Sequence, residues 1–112
     1  MHELSPVSVV QYQLDAYNRC DLENFLEVYS EGIAVYDFPN QLQYTGKPNM
    51  RNRYAEYFAS TRNLYCELLA RVTKGNIVID HELVSGRKDG SLEAIAIYTV
   101  LTGKIVRVDF IR

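Results

Sequence analysis

The second half of this 112-residue chain constrains it most. From Leu64 onward it consists of four long runs rich in β-branched and aromatic residues, over 64–73, 77–84, 92–101 and 104–111. Turn signals separate them: Lys74-Gly75-Asn76, then Ser85–Ser91 with Gly86 and Asp89-Gly90, then Thr102-Gly103. Long strands joined by short connections make an antiparallel meander. Such a sheet must bury one face against something else.

The first half supplies the cover. Ser5-Pro6 reads as an N-cap with proline at the first helical position. Val7, Val10, Leu14 and Tyr17 recur at helical spacing, so a helix is expected from Pro6 to Arg19. Asp21 caps a second helix with Leu22, Phe25, Leu26 and Tyr29 on its buried stripe and Gly32 as its stop. Residues 33–38 read as a short strand ended by Pro39-Asn40, and 40–47 as a polar connection. Pro48 opens a third helix, with Met50, Tyr54 and Tyr57 or Phe58 inside, which fades near Ser60-Thr61. Helices followed by a meander mean an α+β fold, here one domain over 1–112. Three helices closing one side of a curved, mostly antiparallel sheet form a cone with a pocket, the default place for a ligand.

Composition narrows the function. A formal charge of −2 and a pI near 5.6 argue against a dedicated nucleic-acid binder. No apolar stretch approaches the ~18 residues that span a bilayer. The start, Met1-His2-Glu3-Leu4-Ser5-Pro6, lacks a basic segment followed by an apolar run, so a cytoplasmic location is expected. Cys20 and Cys66 then read as reduced thiols in the core, and His2 is assigned nothing. There is no CxxC pair, and His81, Asp37 and Glu82 have no metal-ligand spacing, so neither metal nor cofactor is expected. Gly46-Lys47-Pro48 lacks the glycine pattern of a phosphate loop, and the serines have no nucleophile-elbow context. Lys47, Arg51 and Arg53 read as a solvated helix face. Nine tyrosines, four phenylalanines and no tryptophan suit an apolar cavity dotted with hydroxyls, or an oligomer interface.

Two strands carry further expectations. In 77–84, period-two alternation puts Ile77, Ile79, His81 and Leu83 on one face and Val78, Asp80, Glu82 and Val84 on the other. The first face is the more apolar, so it is expected to point into the cone, bringing the His81 imidazole with it. Asp80 and Glu82 would then face outward. In 104–111, Ile105, Val106, Val108, Phe110 and Ile111 read as a strand buried on both faces. A covered outer face implies a partner, and a homodimer through the sheet is expected. The alternative is a solvated outer face marked by Arg107, Asp109 and Arg112.

The order of these pieces resembles the nuclear transport factor 2-like superfamily, in its SnoaL-like and ketosteroid-isomerase-like branch. The resemblance is carried by Arg19-Cys20-Asp21 and Leu22-Glu23-Asn24-Phe25, by Val35-Tyr36-Asp37-Phe38-Pro39, and by Tyr44-Thr45-Gly46-Lys47. It continues through 75–82 and Gly103-Lys104-Ile105-Val106. It implies a cystatin-like cone and a small, mostly apolar molecule in its pocket. It also implies that Asp37 is a general base acting beside a carbonyl, with Phe38 and the pocket aromatics, Tyr57, Val108 and Phe110 among them, keeping its surroundings apolar. Tyr29 and Tyr54 match supporting tyrosines of that branch. Its two oxyanion donors, a tyrosine and a protonated aspartic acid, are replaced: Gln13 stands at the first position, and Ile97, beside Tyr98 and Thr99, at the second. Tyr17, one turn after Gln13, is the substitute donor. The expected function is an isomerase-like small-molecule enzyme, and the alternative is a non-catalytic ligand-binding or assembly module of the same fold.

Overall fold

The computed structural model describes residues 5–112; the start of the chain, His2 included, lies outside them. Helix α1 (Pro6–Asn18) begins where expected, with the Ser5 hydroxyl accepting the Ser8 N–H at 3.1 Å. Its buried side runs through Val9, Val10, Gln13, Leu14 and Ala16, while Val7 is exposed. Helix α2 (Leu22–Glu27) is capped by Asp21, whose side chain accepts the Asn24 N–H. It stops well before Gly32, and Tyr29 already lies in strand β1 (Tyr29–Asp37). The cause is long-range pairing: the Val28 carbonyl accepts the Ile105 N–H at 2.8 Å, and Tyr29 sits opposite Ile105.

The expected polar connection contains strand β2 (Gln41–Thr45). It pairs only with β1 at the sheet edge and is largely exposed, which is why its composition reads as a loop. Helix α3 (Lys47–Ser60) follows, then β3 (Tyr65–Lys74), β4 (Ile77–Ser85), β5 (Leu92–Leu101) and β6 (Lys104–Ile111). The last two match the expected bounds, since each is fenced by a turn. Between β4 and β5, Gly86 has φ +77°, and a Cβ there would come within 2.0 Å of the Asn63 carbonyl oxygen, so only glycine fits.

The six strands form one sheet in the order β2-β1-β6-β5-β4-β3, antiparallel except for the β1–β6 pair. Register irregularities at Val35/Tyr36, Leu68/Ala70 and Thr99/Val100 bend it. The three helices pack into the concave side over a core that includes Val10, Phe25, Leu26, Ile33, Met50 and Ile105. No helix among the described residues is long and apolar enough to cross a membrane.

The faces of β4 are the reverse of the sequence expectation. Val78, Asp80, Glu82 and Val84 are the buried residues, and Ile77, Ile79, His81 and Leu83 lie on the convex side, half-buried. The outer face of β6 is not apolar either. Arg107 donates to Asp109 through Nε at 2.9 Å and Nη2 at 3.0 Å, and its guanidinium lies 3.7 Å from the Tyr36 ring centre. Ile105 and Val108 alone are fully buried inward, so the strand's apolar look came from one face plus half-exposed Val106 and Ile111.

Asn18 ties the helical layer to the sheet. Its amide donates to the Cys66 carbonyl at 3.0 Å and accepts the Cys66 N–H at 2.7 Å, acting as a piece of strand at the end of α1. Asn18→Ala strands both backbone groups. Urea denaturation is expected to show a loss of about 1–3 kcal/mol.

Candidate functional site

Between the helices and the concave face lies a cavity of about 370 Å³. Its helical wall is aromatic: Tyr17 from α1, Phe25 from α2, and Tyr54 and Tyr57 from α3. These rings pack on one another, with Phe25 and Tyr54 centred 4.6 Å apart. The Tyr17 and Tyr57 hydroxyls are hydrogen-bonded to each other at 3.2 Å. Burial raises the pKa of Tyr17 and of Tyr54, so both stay protonated and can donate to a ligand.

A second group of polar atoms crosses the base of the cavity. Gln13, only 3 % exposed, accepts the Tyr29 hydroxyl at 3.0 Å and donates to the Tyr98 hydroxyl at 3.2 Å. This chain links α1, β1 and β5, and Gln13 fixes the positions of the two phenols. Gln13's own amide is therefore already committed to them.

The floor is set by β4 and β5. Inward Asp80 and Glu82 stand opposite Ala96 and Ala94. Ala94 leaves room beside Glu82, and both line the cavity, whereas Asp80 and Ala96 lie behind its lining. Asp80 is fully buried and held by Arg71, which donates Nε to Oδ1 at 2.6 Å and Nη2 to Oδ2 at 3.0 Å. Arg71 also donates to Gln11 at 2.9 Å. Glu82 is 6 % exposed, lines the cavity, and has no such arginine. Burial, and next the Asp80 carboxylate, push its pKa up to about 7; the Cys66 thiol and Arg71 pull it down without cancelling them. Cys66 lines the same wall, and burial pushes its thiol up, so it remains protonated.

The expected site residues divide between two faces. Gln13, Tyr17, Tyr29, Tyr54, Tyr57 and Phe110 line the cavity together. Val108 is buried in the core rather than on the lining. Ile97 and Thr99 lie on the convex face, opposite Ile79 and Ile77, because Tyr98 takes the inward position between them. His81 is on that face too, paired with Glu93. Phe38 is 55 % exposed beyond the end of β1. Asp37 lies at the rim, where Arg112 donates to its Oδ1 at 3.3 Å; it is not on the lining.

Glu82, Tyr44, Tyr98 and three arginines of the lining, Arg53, Arg87 and Arg112, were not chosen from sequence. For Glu82 a signal existed. The alternation Val78-Asp80-Glu82-Val84 runs opposite Tyr98-Ala96-Ala94-Leu92, and small residues facing acids mark a polar recess. Among the described residues, no three His, Cys, Asp or Glu side chains gather as a metal site.

Comparison with known proteins agrees with this architecture. The model of the SnoaL-like domain family matches residues 10–108. No functionally curated protein matches. Among solved structures, an uncharacterized cystatin-fold protein from Novosphingobium aromaticivorans superposes with a TM-score of 0.88 at 22% identity, covering 97% of this chain and 99% of that one. A proposed polyketide cyclase from Sinorhizobium meliloti gives 0.78 at 18% identity, with 92% and 93% covered. A proposed ketosteroid isomerase from Kribbella flavida gives 0.78 at 17% identity, with 94% and 75% covered. Helices, sheet order and matched span together place this chain in the SnoaL-like domain family.

Proposed function

We propose that the chain is a small-molecule acid–base enzyme. Its cavity holds a mostly apolar carbonyl compound, and Glu82 moves the proton. The observation that carries this reading is a carboxyl buried in an aromatic cavity without an arginine partner. A group with a pKa near 7 populates both forms at neutral pH, so it can take a proton and return it. In the step, Glu82 removes a proton from the carbon beside the carbonyl. The C–H electrons form a carbon–carbon double bond, and the carbonyl oxygen gains negative charge. A tyrosine hydroxyl of the wall, from Tyr17, Tyr54 or Tyr57, donates to that oxygen. Where the substrate is a β,γ-unsaturated carbonyl compound, Glu82 then delivers the proton to the γ carbon, the former β,γ double bond moves into conjugation, and the carbonyl is restored. Structural relatives named as a polyketide cyclase and a ketosteroid isomerase support a carbonyl substrate.

Asp37 supplies the second catalytic reading. It sits on Arg112, and Arg112 reaches the lining, so a substrate lodged near the rim would meet Asp37 rather than Glu82. A ligand-binding module without chemistry is the third outcome. NMR of small ketones and enones in deuterated buffer separates them. Deuterium uptake beside the carbonyl, lost in Glu82→Gln and kept in Asp37→Asn, is expected. Loss in Asp37→Asn alone would move the base to the rim, and no uptake across the panel would favour binding alone.

The state of Glu82 is testable without a substrate. The folded carboxyl holds its proton to about pH 7, whereas the unfolded one ionises near ~4.3. The unfolded chain therefore loses this proton first, and wild-type stability falls as pH climbs through that window. Glu82→Gln lacks this loss. Relative to wild type, its stability in urea titrations should rise by roughly 2–4 kcal/mol between about pH 4 and pH 8. A constant difference would show that Glu82 is not held as a buried acid.

We also propose pairing of two copies through the convex face, where Ile79 and Ile97 lie side by side and half-buried. Sedimentation equilibrium is expected to give a dimer that Ile97→Lys dissociates; a wild-type monomer would reject this.

A further inference from the structure

We infer that the ligand is an organic anion, with its apolar body in the cavity and its anionic group at the mouth, held by Arg53, Arg87 and Arg112. This rests on reading the cavity as a small-molecule site. The three guanidinium groups come from separate elements, α3, the β4–β5 connection and the end of β6, yet all line one opening.

Charge accounting around the opening leaves a surplus. Arg112 is paired with Asp37 at 3.3 Å. Neither Arg53 nor Arg87 has a carboxylate within ion-pair distance among the described residues. Other arginines of the chain do: Arg51, two positions before Arg53, is held by Glu23, Arg71 by Asp80, and Arg107 by Asp109. Among the described residues, the one acid on the lining is Glu82, on the floor. A cationic mouth on a chain of net charge −2 is a local arrangement, not a by-product of a basic surface.

The mouth is also ordered. The Arg53 guanidinium lies 4.2 Å from the Tyr44 ring centre, and that of Arg112 lies 4.5 Å from the Phe110 ring centre. Arg87 donates one N–H to the Gly90 carbonyl at 3.1 Å. Stacking leaves the in-plane N–H groups available, and a guanidinium carries five of them. A planar guanidinium fork beside an apolar cavity suits a carboxylate or a phosphate oxygen pair. Held by rings and a carbonyl, these side chains lose less freedom when an anion arrives.

The test compares matched bicyclic probes by calorimetry: 2-naphthoate, 2-naphthamide and 2-naphthyl phosphate. 2-Naphthoate should bind about tenfold tighter than 2-naphthamide, as expected for a charge-assisted contact. The double variant Arg53→Gln/Arg87→Gln should close that gap and leave 2-naphthamide binding unchanged, with circular dichroism confirming its fold. Tighter binding of the phosphate than of the carboxylate would identify a phosphomonoester as the anion. Equal binding of 2-naphthoate and 2-naphthamide to wild type would overturn the anion inference while sparing the cavity reading. A gap that survives the double variant would overturn its assignment to these arginines. Failure of all three probes to bind would remove the small-molecule reading itself, and this inference with it.

Discussion

Everything at this site depends on two carboxyl groups sharing one buried strand face. Asp80 and Glu82 point the same way from β4, into the buried side of the sheet. A buried carboxylate is tolerated when it is paired and hydrogen-bonded, and Arg71 does this for Asp80 with two bonds. No such arrangement exists for Glu82. With the Asp80 charge already in place, the less costly form of Glu82 is the neutral one, and its proton becomes the variable quantity. The Arg71–Asp80 pair therefore does more than hold β3 to β4. It also sets a negative charge beside Glu82, the acid that has no arginine pair.

The rest of the cone is built around that recess. Ala94 keeps β5 from filling it, and Tyr98 closes its far side. Gln13 cannot be replaced by a simple hydrocarbon, because it satisfies Tyr29 and Tyr98 together from the middle of α1. Among the described residues, no buried side-chain nitrogen or oxygen lacks a partner. The polar interior is thus satisfied in small sets, Tyr29–Gln13–Tyr98 and Gln11–Arg71–Asp80 among them, and each set ties α1 to the sheet.

How much of this was legible in the sequence differs by scale. Strand bounds for β5 and β6 were readable because local chemistry fixes them: Thr102-Gly103 turns the chain, and both strands run to their expected ends. The end of α2 was not, since Tyr29 is claimed by Ile105 from the far end of the chain. Sidedness was the harder problem. Alternation divides a strand into two faces but does not say which is inside. Ile77, Ile79 and Leu83 outweigh Asp80 and Glu82 in hydrophobicity, so a local rule selects the wrong face. What reverses it is information from other strands: Arg71 in register with Asp80, and alanines in register with both acids. Tyr17, Tyr54 and Tyr57 were placed by helical spacing, which carries sidedness; Gln13 came from the family resemblance, and Tyr29, read on a helical stripe, lies in β1. His81 was misplaced because strand spacing does not carry sidedness, and Ile97 and Thr99 because the resemblance set them at the acid position while Tyr98 takes the inward one.

The same reversal bears on where chemistry can occur. Asp37 lies at the rim, paired with the Arg112 guanidinium and off the cavity lining. Glu82 on the floor has no ion-pair partner among the described residues, and it shares the cavity with tyrosines that remain protonated because they too are buried. Acid, donors and apolar volume are therefore gathered at depth, and net positive charge at the entrance. A ligand with one apolar end and one anionic end would be oriented by that gradient before any single contact formed. The end that reaches Glu82 is then the uncharged one, which is also the end at which abstraction of a proton from carbon is possible.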